Sequence, residues 1–134
     1  MKPVTQEEPV GCAVACVACV CEISYKEAKK LFPNSEDASG QGYWCKDIVN
    51  ALCRFGLTYK WKKARHDTKY QERSIVFIDY SKKYPIGHYL VRTKNNWMDP
   101  WLNFPSIVPA KAGFVKKLSG KVGYYIYPIK KVKS

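Results

Sequence analysis

Four of the six cysteines in this 134-residue chain fall within ten positions, in the stretch TQEEPVGCAVACVACVC at residues 5–21. Thiols this dense could hold a metal, form disulfides, fill a core or supply a nucleophile. A zinc site needs paired thiolates such as C-x2-C with a second pair at a defined distance. Cys16 and Cys19 make one such pair, but Cys45 and Cys53 stand eight apart with no neighbouring His or Cys. Thiols close together on a helix cannot easily reach disulfide geometry. Residues 11–22 as a helix, at about 100° per residue, put Cys12, Cys16 and Cys19 on one stripe and Cys21 on the other side. The residues between are Ala and Val, so this helix is apolar all round and belongs in a core. Buried cysteine behaves there as a small hydrophobe. Cys12 is the exception. At the helix start it faces the positive end of the macrodipole and unpaired N–H groups, which favour a thiolate. Gly11 before it is expected to allow a sharp turn and leave room beside the sulfur.

A cysteine nucleophile needs an imidazole within hydrogen-bond reach and a third group to orient it. The chain has two histidines. His66 sits in the polar stretch KKARHDTKYQERS, which reads as a loop without walls; His88 sits in YPIGHYLVRTKNNWMDPW. There GHYLVRT reads as a strand, KNN as a turn and WMDPW as the returning strand, ended by Pro100. A loop of residues 92–95 sets His88 opposite Asp99, and a turn at Asn95-Asn96 sets it opposite Asn103. Asp99 is preferred as orienter, with Asn103 the alternative. Tyr84, Trp97 and Trp101 flank this motif, as cleft walls or as plain packing.

The elements that must position these groups read as α+β, helices first and strands later. ISYKEAKKLF offers Ser24 as N-cap with Glu27 three residues on, a capping box opening a second helix. GYWCKDIVNALCRFG reads as a third helix closed by Gly56, with Trp44, Ile48, Leu52 and Phe55 on one face and Cys45 and Cys53 as packing. LTYKWKK, SIVFIDY, GHYLVRT and VGYYIYPI are strand candidates. The central helix is expected to pack on this antiparallel sheet, with a cleft between the helix start and the sheet edge bearing His88.

The chain is sized for one domain spanning 1–134, without repeats or low-complexity linkers. The apolar run from Val10 to Cys21 is too short for a bilayer span, and the N-terminus lacks the pattern of a secretory signal. Numerous cysteines without plausible partners suit a reducing, cytoplasmic compartment. The formal charge is +12, and no acidic residue follows Asp99. Such a surface attracts acidic partners through a salt-sensitive field, or simply solvates the exterior. No phosphate-cradling glycine loop and no nucleic-acid motif accompanies it, which argues against a nucleic-acid partner.

The order of these motifs resembles papain-like cysteine peptidases of the C39 and C39-like group, which include bacteriocin leader peptidases. In that group a Gln stands six residues before the nucleophilic Cys, as Gln6 stands before Cys12. The text GCAVAC, the strand head GHYLV at 87–91 and MDP at 98–100 resemble the group's remaining motifs, over roughly residues 3–105. Ala13 stands where a Gly is common, the interval between His88 and Asp99 is short, and the chain is expected to act without attached transporter segments. The resemblance implies a papain-like fold and hydrolysis of peptide or isopeptide bonds, with no cofactor or metal. It makes Cys12 the nucleophile, His88 the base and acid, Asp99 the orienter and Gln6 an oxyanion donor. Two other functions share the pattern: a thiol acyltransferase or amidase using the same triad, and an inactive peptidase-like binding module with a basic surface.

Overall fold

The computed structural model describes residues 1–8, 10–33, 42–84, 87–102 and 110–129. Three helices, α1 (Cys12–Cys21), α2 (Tyr25–Lys29) and α3 (Cys45–Phe55), precede six strands. The strands are β1 (Tyr59–Lys63), β2 (Ile75–Ile78), β3 (His88–Arg92), β4 (Trp97–Asp99), β5 (Gly113–Val115) and β6 (Val122–Pro128). They form one antiparallel sheet in the order β1-β6-β2-β3-β4-β5.

Every residue of α1 is buried, as its all-round apolar composition requires. The helix packs against α2, α3 and β3. Its small Ala, Val and Cys side chains let these neighbours approach closely. Glu22 ends it in the left-handed region, with its N–H returning to the carbonyls of Ala18 and Cys19. The capping box of α2 forms as the sequence indicates: Ser24 Oγ accepts from the Glu27 N–H, and Glu27 returns to the Ser24 N–H. Gly56, at φ 109°, closes α3.

The face of α3 differs from the sequence expectation. Cys45, Ile48, Ala51 and Leu52 are buried, whereas Trp44, Phe55 and Cys53 are exposed. Trp44 lies just outside the helix, so helical spacing does not govern it. Phe55 and Cys53 fall on the turn facing water. The strand β5 was not expected. It is three residues long and only half covered, too short to show alternation.

Alternation along the longer strands feeds two separate cores. Tyr59, Ile75, Tyr89, Val91, Met98 and Ile126 meet the helices. Val76, Ile78, Leu90, Trp97 and Tyr125 gather with Tyr84 on the other side. At the sheet's margin β1 reads YKWKK, and its lysines discourage further strand pairing.

The hairpin carrying His88 has a register of its own. Val91 pairs with Met98 and Arg92 with Trp97, so the loop is residues 93–96 rather than 92–95. Thr93 closes it by bonds to Asn96: its N–H and hydroxyl donate to the Asn96 carbonyl, and its Oγ1 accepts from the Asn96 N–H. Continuing this register sets Leu90 across from Asp99. His88 is then Asp99's diagonal neighbour on the same face, within side-chain reach. β3 is an interior strand, so His88 sits at a strand end and not on a sheet edge.

Candidate active site

Cys12 opens α1 directly after Gly11, with no side-chain cap competing for the first N–H groups. Gly11 has φ −86°, which any residue adopts, so a sharp turn is not its purpose. A Cβ there would run into the Tyr25 hydroxyl. The glycine makes room for Tyr25, not for the sulfur. Tyr25 in turn donates to Glu8 Oε1 at 2.7 Å, and Lys29 pairs with Glu8 Oε2 at 2.5 Å. The segment leading into the helix is thereby clamped onto α2.

Gln6 lies on that clamped segment and is buried. Its backbone N–H donates to the Pro100 carbonyl at 3.2 Å, tying it to the residue after Asp99. Its side-chain Nε2 donates to the Glu8 carbonyl at 2.9 Å. Glu8 thus fixes the Gln6 amide through its main chain and the whole segment through its carboxylate. Sequence reasoning passed over Glu8, Tyr25 and Lys29. An acidic residue ahead of an apolar helix carries no mark of the partner that it will find on the next helix.

His88 begins β3 directly after Gly87, whose φ of 82° is left-handed. A Cβ on Gly87 would collide with the Phe77 ring. Glycine is required there both for conformation and for space. The imidazole is almost fully buried, at 4% exposure. Nε2 lies 2.7 Å from Asp99 Oδ1, the Cys12 thiol is close enough to act on the ring's charge, and the Tyr84 ring stacks on it at 4.5 Å. With Nε2 facing Asp99, Nδ1 is the nitrogen left to meet the sulfur.

Asp99 is buried, and its Oδ1 also accepts from the Trp101 N–H at 2.9 Å. The Asp-Pro turn and the orientation of the imidazole are served by one carboxylate oxygen. Burial, the largest influence on His88, disfavours its charge. The hydrogen bond to Asp99 and the attraction of both Asp99 and Cys12 together outweigh burial, raising its pKa from 6.5 to about 9.

Four sequence-derived residues thus converge. His88 and Asp99 are hydrogen-bonded, Cys12 is close enough to act on the imidazole's charge, and Gln6 is tied to the residue after Asp99. Asn103, the alternative orienter, lies outside the described residues. His66 is exposed. Tyr84 walls the imidazole and is anchored by its hydroxyl to Ser119 at 3.1 Å. Trp97 instead packs edge-on against Tyr70 and under the Arg92 guanidinium, as ordinary packing.

The remaining thiols have different surroundings. Burial raises Cys16 well above the ordinary range, with the charges of Cys12, Cys19 and Asp99 adding to it. Cys19 and Cys21 are each pushed up to about 11, chiefly by burial. All six cysteines are free thiols. Among the described residues no group of three or more His, Cys, Asp or Glu side chains could hold a metal, and no helix is long and apolar enough to cross a membrane.

Beside the site a cleft of ≈ 470 Å³ runs between the start of α3 and strands β1, β2, β3 and β6. Tyr89, the residue after His88, forms part of its wall; its hydroxyl donates to the Tyr43 carbonyl at 2.9 Å.

No protein-family model matches the sequence, and no curated protein does. Solved structures do match in fold. The peptidase domain of Streptococcus ComA, described as a bi-functional ABC transporter involved in a quorum-sensing pathway, superposes with a TM-score of 0.60 at 20% identity, over 97% of this chain and 98% of that one. The peptidase domain of Streptococcus mutans ComA gives 0.54 at 19% identity, over 97% and 100%. The chain therefore has the papain-like fold of these peptidase domains over nearly its whole length.

Proposed function

We propose that this protein is a cysteine peptidase hydrolysing peptide or isopeptide bonds, with Cys12 as nucleophile, His88 as general base and acid, Asp99 as orienter and Gln6 as oxyanion donor. The observation carrying this reading is the buried His88–Asp99 pair beside Cys12, the first residue of a buried helix. The fold shared with the ComA peptidase domains supports it.

The His88 imidazole, whose pKa is raised to about 9, carries the proton that the leaving group will need. The Cys12 sulfur attacks the scissile carbonyl carbon, and the C=O electron pair moves onto oxygen. The Gln6 side-chain amide and the Cys12 backbone N–H stabilise that oxyanion. On collapse the C–N bond breaks and His88 gives its proton to the leaving amine. Water then attacks the thioester, with His88 accepting its proton, and the acid product leaves with Cys12 restored as thiolate. Asp99 holds the ring in the orientation that both steps need. No cofactor takes part, the partner is a peptide or protein substrate, and six free thiols fit a reducing cytoplasmic setting.

A peptide carrying an electrophilic warhead tests the assignment. Wild type is expected to be labelled stoichiometrically at Cys12, and Cys12→Ala not at all. Equal labelling of the two proteins ends the proposal.

A further inference from the structure

We propose that the cleft beside Tyr89 binds a cationic side chain, Lys or Arg, of the peptide substrate, held between exposed aromatic rings with Asp79 as counter-ion. This rests on the peptidase reading and adds a substrate class to it.

Seven of the eleven described residues lining the cleft are aromatic. Four of those rings are left substantially open: Trp44 at 69% exposure, Tyr80 at 64%, Trp61 at 46% and Tyr124 at 39%. Rings of this size are normally spent on a core, and several grouped around one concavity mark a binding surface. Trp61 and Tyr124 stand edge to face at 5.8 Å, so they hold a fixed shape between neighbouring strands. Aromatic faces carry negative potential and attract ammonium and guanidinium groups.

Asp79 gives the cleft its sign. It is half-buried on the lining, and its carboxylate makes no ion pair or hydrogen bond with another described residue. In a chain with 23 Lys and Arg against 11 Asp and Glu, a carboxylate left without a cation is unexpected. Its place is also built: a Cβ on Gly123 would collide with it. The opposing charge is Lys46, which lines the cleft but is exposed, so its flexible ammonium can turn to water. An anionic occupant would meet Asp79 and four ring faces, whereas a cation meets only a movable lysine. The cleft meets the nucleophile's side of the sheet at Tyr89, which lines it and feels the charge of Cys12, so the cation is carried on the same peptide that Cys12 attacks.

The test uses internally quenched peptides that differ only in carrying Lys, Arg, norleucine or Glu at one position, moved along the sequence flanking the scissile bond. At one position Lys and Arg are expected to exceed norleucine by about tenfold in kcat/KM. Asp79→Asn should bring that ratio close to one, and Lys46→Glu should raise it. A ratio near one at every position in wild type, or a preference for Glu, overturns the proposal. So does an unchanged ratio in Asp79→Asn. A second measurement is independent of turnover: tryptophan fluorescence of Cys12→Ala titrated with Nα-acetyl-lysine amide and with Nα-acetyl-norleucine amide. Saturable quenching by the lysine compound alone supports the cation site even where no peptide is cut, a result that would count against the peptidase reading only. Equal quenching by both, or none by either, removes the cation site.

Discussion

The two ends of α1 carry the same side chain in opposite company. Cys12 stands at the N-terminal end, where the helix presents partial positive charge, and its neighbour is the His88 imidazole. Cys21 stands at the C-terminal end, where the carbonyls are negative, and its neighbour is Arg73. That cation does not rescue its thiolate. Burial pushes the Cys21 thiol up to about 11 despite the downward pull of Arg73. The guanidinium is engaged elsewhere, donating to the Val20 carbonyl at 2.7 Å and pairing with Glu22 at 3.4 Å. A cation near a thiol is therefore insufficient for chemistry. The thiol must also sit at the favourable helix end, beside a group that can take up and return its proton.

The largest break in this comparison should come from removing each sulfur in turn. Cys12→Ala is expected to lower kcat/KM by about 10⁴-fold or more, while Cys21→Ala stays within about threefold of wild type. A comparable loss in both would mean that packing, not chemistry, distinguishes the two ends. Next comes pH. His88 titrates near 9 in the folded chain against 6.5 ordinarily, so its charged form is bound more tightly in the native state. That contribution, on the order of 3 kcal/mol, is complete below pH 6.5 and lost as pH rises through about 9. The urea midpoint should fall between pH 6.5 and 9.5, and His88→Gln should flatten that slope. Parallel slopes in the two proteins would remove the ionic pairing.

Gln6→Ala sharpens the same end at a smaller scale. It should cost on the order of 100-fold in kcat with little change in KM, since an oxyanion donor acts in the transition state. A loss confined to KM would make Gln6 a substrate contact instead. The smallest effect concerns the clamp beneath the site. Gly11→Ala drives a methyl into the Tyr25 hydroxyl and should destabilise the fold by about 1–3 kcal/mol in urea titration. A neutral result would show that the Tyr25–Glu8 contact yields without cost.

Much of this arrangement is legible in the sequence because it is local. The capping box of α2, the closing glycine of α3 and the helical span of α1 each depend on residues a few positions apart. The pairing of His88 with Asp99 was readable for the same reason, since one short hairpin joins them. Its detail was not: a four-residue loop fits at 92–95 or at 93–96, and Thr93 bonding to Asn96 selects the second, which puts Leu90 rather than His88 across from Asp99. What sequence did not reveal is long-range. Glu8 meets Tyr25 and Lys29 only because two helices pack, and β5 exists only because β4 offers it an edge. The aromatic cleft is assembled from four strands and the start of a helix, so no window of the sequence displays it. Trp44 and Phe55 misled for the opposite reason, being large and apolar yet facing water.

The narrowness of α1 has a further consequence. Its ten residues are Ala, Val and Cys throughout, all enclosed, so no position can swell without displacing a neighbour. A bulkier substitution two or three turns away would be felt as a shift or tilt of the rod as a whole, and the sulfur at its tip would move with it. Variation harmless to folding could thereby detune turnover from a distance, and the helix acts as a gauge block for the reacting atom.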